Sequence, residues 1–95
     1  MTFRQGFTKE QWHKIEMILL NDPSLSFNEL ARIAIHNGVA GYSPTKREQP
    51  IYKSFRLDED LTKKIKKMSK KSKAKQADLM RDLIMDYVMK AINKL

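Results

Sequence analysis

The side chains able to do chemistry in this chain are few. Asp58, Glu59 and Asp60 stand consecutively, and three adjacent carboxylates can in principle hold a metal or exchange protons. They also open an apolar-striped, lysine-rich stretch. Helix-start chemistry accounts for all three there, as one N-cap oxygen followed by acids at the positive end of the helix dipole. His13 and His36 belong to no ligand-spaced set and read as surface or boundary residues. No glycine-rich phosphate loop and no nucleophile–base pairing is visible, so neither an enzyme nor a metal or cofactor site is expected. What remains is hydrogen bonding and positive charge. Tyr52, Ser54 and Arg56 alternate along one face of a short stretch, and lysines recur from Lys63 to Lys75.

Those residues sit in one half of a 95-residue chain of net charge +8. Residues 1–50 carry six Lys/Arg against five Asp/Glu, and residues 51–95 carry thirteen against six. A basic half of this kind is the electrostatic footprint of a nucleic-acid binder. Cysteine is absent, which removes disulfides and thiol chemistry and fits a reducing compartment. The longest apolar run, Met17 to Leu20, is far too short to span a membrane. With no signal-like N-terminus, a cytoplasmic protein without a membrane partner is expected.

The elements that must position these residues follow from periodicity. Thr8, with Gln11 in capping-box spacing, opens a helix striped by Trp12, Ile15, Ile18 and Leu19 and widened by Met17 and Leu20. Pro23 ends it. Ser26 and Glu29 open a second helix, faced by Leu30, Ala31, Ile33 and Ala34 and closed at Asn37-Gly38 by the usual left-handed glycine terminator. Residues 39–50, with Gly41, Pro44 and Pro50, form a linker. From Ile51 the period becomes two, with Ile51, Lys53, Phe55 and Leu57 on one face and Tyr52, Ser54 and Arg56 on the other. Asp58 caps a helix striped by Leu61, Ile65 and Met68, and Ser69 to Lys75 should hold a turn. The final helix carries Leu79, Met80, Leu83, Ile84, Tyr87, Val88, Ala91, Ile92 and Leu95. Trp12 is expected in the core, and Met85 and Met89 fall off the main stripe.

Strand, helix, basic turn and apolar last helix over residues 51 to about 92 resemble the ribbon-helix-helix DNA-binding proteins of the Arc, MetJ and CopG type. The join Phe55-Arg56-Leu57-Asp58-Glu59-Asp60-Leu61 is similar to the family's strand, polar cap and first apolar helix residue. Ala77-Asp78-Leu79-Met80-Arg81-Asp82-Leu83-Ile84 looks like its second-helix opening. The resemblance implies a mostly α fold completed by dimerisation. Strands from two chains would pair antiparallel, enter the major groove and read bases. Tyr52, Ser54 and Arg56 would contact bases. Lys53, Lys73, Lys75 and Gln76 would contact phosphates, the last two at the start of the second helix. Phe55, Leu57, Leu61, Ile65, Leu79, Leu83, Ile84, Tyr87 and Val88 would form the dimer core. The family's usual glycine and cap serine are missing from the turn, which reads Lys73-Ala74-Lys75, and Lys53 occupies an inward position.

Residues 1–38 read as a helical hairpin that packs on the dimer or joins dimers into higher oligomers. The alternative is a degenerate tandem repeat, because Asn28-Glu29-Leu30-Ala31-Arg32 parallels Ala77-Asp78-Leu79-Met80-Arg81. Thr2 to Phe7 would then be a strand, which Gly6 argues against. The expected function is sequence-specific binding of double-stranded DNA by a homodimer, as a transcriptional repressor of prokaryotic, plasmid or phage origin. A plasmid copy-control, partition or relaxosome protein is the competing role, and a protein–protein adaptor is the competing class.

Overall fold

Side chains set the start of three of the four helices in the computed structural model, which describes residues 2–38, 51–73 and 75–94. Thr8 caps α1 (Lys9–Asn21) with both hydrogen bonds of a capping box. Its hydroxyl accepts from the Gln11 N–H at 3.1 Å, and its own N–H donates to the Gln11 side chain at 3.0 Å. Ser26 caps α2 (Phe27–Asn37), and Asp58 caps α3 (Glu59–Ser72) by accepting from the Leu61 N–H at 2.9 Å. α4 (Gln76–Ile92) begins at Lys75 with no side-chain cap. The linker expected at 39–50, and Ala74 and Leu95, lie outside the described residues.

The main departure from expectation lies at the N-terminus. Thr2–Phe7 is a strand, β1, and it pairs antiparallel with β2 (Ile51–Arg56) in a register running from Thr2 opposite Arg56 to Phe7 opposite Ile51. The strand expected to pair with a second copy is paired with a strand of its own chain. Strand–helix–helix therefore occurs twice, as β1-α1-α2 and β2-α3-α4. Thr8 and Asp58 stand at equivalent caps, which makes Arg4 the counterpart of Ser54. Those two residues also face each other across the ribbon. A pseudo-two-fold axis thus passes through the Arg4–Ser54 pair.

The cover of the two strands follows the same symmetry. α2 lies on β2 and α4 on β1, so each half covers the other's strand. One core draws on both halves, from Phe7, Ile15, Leu30 and Ile35 to Phe55, Leu57, Leu61, Ile65, Leu79, Leu83, Ile84 and Val88. The apolar face of α4, expected to need a second chain, is covered by α1 and α2. The predicted dimer core is therefore the core of one chain, with Tyr87 half-buried at its edge. Beneath the ribbon the aromatic rings converge. Phe3 stacks on Phe55 at 6.0 Å, and Phe27 meets Phe7, Trp12 and Phe55 edge-on at 5.3–6.0 Å.

Smaller differences have local causes. Met17 and Leu20 do not widen the buried stripe of α1, being 41% and 80% exposed. α3 runs on to Ser72, whose hydroxyl donates to the Met68 carbonyl, and stops where Lys73 turns left-handed at φ 59°. Gly38 is not left-handed, at φ −75° and ψ 143°. Close approach explains the glycine instead: a Cβ there would collide with Leu83 Cδ2 and lie 2.7 Å from the Ala34 carbonyl oxygen. Gly38→Ala should therefore lower stability by roughly 1–3 kcal/mol, the usual cost of overpacking, read as a fall in the urea midpoint. An unchanged midpoint would mean that α2 and Leu83 yield without cost.

Candidate nucleic-acid interface

Alternation along paired strands puts one set of side chains in the core and the other in solvent. On β2, Phe55 is buried and Lys53 half-buried, whereas Tyr52, Ser54 and Arg56 are exposed. On β1, Phe7 and Gln5 are buried and Phe3 half-buried, while Thr2 and Arg4 are exposed and Gly6 is half-buried on the outer side. The register sets Thr2 beside Arg56, Arg4 beside Ser54 and Gly6 beside Tyr52. The three residues predicted to contact bases therefore share one face, and β1 adds Thr2 and Arg4 to it. Arg4 holds its guanidinium 4.4 Å above the Tyr52 ring, a cation–π contact that orients both groups.

Arg4 was missed because Gly6 and the polar Gln5 disguise the strand. The signal that could have found it was the match of the Thr8 and Asp58 caps, which aligns Thr2–Phe7 with Tyr52–Leu57.

The edges of the ribbon are fixed by the helices that follow. Asn28, in the first turn of α2, accepts a hydrogen bond from the Arg56 N–H, which ties that helix start to the end of β2. Arg32 of α2 pairs with Asp58 at 3.5 Å, linking the two halves again. Both partners are about half exposed, so the pair adds little stability.

The predicted phosphate contacts separate into two groups. Lys73, Lys75 and Gln76 are exposed around the uncapped start of α4, where free backbone N–H groups and a positive dipole end suit an anion. Lys53 is elsewhere. It lies opposite Gln5 on the inner side, its ammonium 4.4 Å over the Trp12 ring, so it roofs the aromatic cluster and does not snorkel to a phosphate. Trp12 thus contacts both Lys53 and Phe27.

Lys64, within the lysine run from Lys63 to Lys75, is engaged inside the fold. Its ammonium donates to the carbonyl oxygens of Ile35 and His36 at 2.7 and 2.6 Å. It satisfies the C-terminal carbonyls of α2 at the negative end of that helix. Lys64→Met should cost about 1 kcal/mol of stability, read as a fall in the urea midpoint. An unchanged urea midpoint for that variant would show that Lys64 does not help to hold the end of α2.

Among the described residues no helix is long and apolar enough to cross a membrane, and no group of three or more His, Cys, Asp or Glu side chains could hold a metal ion. No protein-family model, curated protein or solved structure matches the chain.

Proposed function

We propose that this chain binds double-stranded DNA sequence-specifically, as a single-chain counterpart of a ribbon-helix-helix dimer. The observation that carries the reading is the outer face of the β1–β2 ribbon. Arg4, Tyr52, Ser54 and Arg56 are exposed there, while the opposite face is sealed onto an aromatic core. A two-stranded ribbon fits the major groove, where arginine can pair bidentately with guanine and serine can donate or accept. Lys70 and Lys71 in the last turn of α3, Lys73 at its end and Lys75 at the uncapped start of α4 supply phosphate contacts that fix the ribbon's register without reading sequence. Transcriptional repression is the role the family resemblance favours, with plasmid copy control, partition or relaxosome assembly as the competing use of the same module.

The test is a fluorescence titration of duplexes selected from a random pool, at several salt concentrations, comparing wild type with Arg56→Ala. Loss of one bidentate base contact should reduce discrimination by about 1–3 kcal/mol, while weaker nonspecific binding persists. Retention of full site preference would remove Arg56 from base reading. Failure of the wild type to bind any duplex at low salt would leave the protein–protein adaptor as the better reading.

A further inference from the structure

The DNA-binding reading leaves open what kind of site such a ribbon recognises. A ribbon built from two identical chains must present the same residues on both sides of its axis. This ribbon does not. Across the pseudo-two-fold at the Arg4–Ser54 pair, Thr2, Arg4 and Gly6 stand where Tyr52, Ser54 and Arg56 stand in the other half. No outward position carries the same residue twice. Gly6, the counterpart of Arg56, has no side chain with which to read a base.

The flanks differ as strongly. The turn between α1 and α2, residues 22–26, contains Asp22 and no basic residue, and its helix start is already capped by Ser26. The corresponding flank carries Lys70 and Lys71 in the last turn of α3, Lys73 at its end and Lys75 at an α4 start without a side-chain cap. One end of the ribbon is therefore built to attract phosphate, and the other presents a carboxylate in its place. Asn28, at the start of α2, accepts from the Arg56 N–H at the Thr2–Arg56 end of the ribbon, and the pseudo-two-fold relation assigns the start of α4 to the other end.

We infer that the chain, given the DNA-binding reading above, recognises a non-palindromic duplex and lies on it in one fixed orientation. Base contacts and phosphate contacts break the symmetry at different residues of the same molecule. A single chain can therefore mark a direction along the duplex, which a symmetric dimer on a palindrome cannot do.

The chain contains no cysteine, so one engineered thiol can carry a hydroxyl-radical-generating iron chelate at a known place. Ala77→Cys puts the reagent in the exposed first turn of α4, and Ser24→Cys puts it in the exposed α1–α2 turn. Each conjugate is bound to an end-labelled duplex selected by the wild-type chain, and strand scission is mapped. The expected result is scission on one flank only for each conjugate, with the flanks reversed between the two. Equal scission on both flanks by each would show two orientations and overturn the inference, while leaving sequence-specific binding intact. The motif selected by the unmodified chain reads the same point independently: it should be non-palindromic, and a palindromic motif would overturn fixed orientation. Absence of any site-selective binding by the wild type would instead remove the DNA-binding reading, and this inference with it.

Discussion

Replacing Phe55 with alanine is expected to cost about 3–5 kcal/mol of folding stability, the range for truncating a fully buried phenylalanine. Phe55 is 2% exposed, stacks on Phe3 across the ribbon and meets Phe27 edge-on. The ring therefore joins β2 to β1 and the ribbon to α2. Small domains are stable by only about 5–15 kcal/mol, so this one substitution should remove a large part of the total. Urea denaturation followed by circular dichroism would measure it. A loss below about 1 kcal/mol, at the low end of what single substitutions cost, would mean that the rings are not the cement between ribbon and helices. Ser54→Ala on the same strand is the natural control: its side chain is exposed, and surface changes of this kind are worth about ±0.5 kcal/mol.

The second large effect concerns binding. Changing Lys70, Lys71, Lys73 and Lys75 together to glutamine should lower the slope of log affinity against log salt by about 3 to 4, since each phosphate contact releases counterions worth roughly 0.9 of that slope on B-DNA. The loss should be nearly uniform across DNA sequences, because phosphates carry no sequence information. All four side chains are exposed, so the folded state should survive. Lys73 has a further role at the end of α3, where it holds a left-handed backbone that glycine adopts without strain. Lys73→Gly alone would thus separate the two contributions, raising stability while lowering the salt slope. A quadruple variant with an unchanged slope would show that these lysines merely solvate α3.

Much of this fold was legible locally. Thr8, Ser26 and Asp58 announce helix starts by residue type and spacing, and all three act as caps. The alternation from Ile51 to Leu57 correctly separates Phe55 and Leu57 from Tyr52, Ser54 and Arg56. What was not legible depends on distant partners. β1 is a strand because β2 lies beside it, and nothing within Thr2–Phe7 outweighs Gly6 and the buried Gln5. Lys53 looks misplaced on an inward face until Trp12, from the other half, receives its ammonium. Lys64 is indistinguishable in sequence from its neighbours, and only the packing of α3 against the end of α2 gives it carbonyls to cap. Gly38 likewise owes its identity to Leu83 and not to its own backbone angles. In sequence the N-terminal half shows its helices more clearly than its strand, so a second chain is expected both to pair with β2 and to cover α4.

That exchange of an intermolecular ribbon for an intramolecular one is the centre of the account, and concentration tests it most directly. Equilibrium unfolding should be followed across a hundredfold range of protein concentration in the absence of DNA. A ribbon closed within one chain requires a midpoint that does not move. A fold completed only by a second copy would lose about 2.7 kcal/mol of apparent stability over the same dilution, and a midpoint that falls accordingly would contradict the pairing of β1 with β2 in one chain.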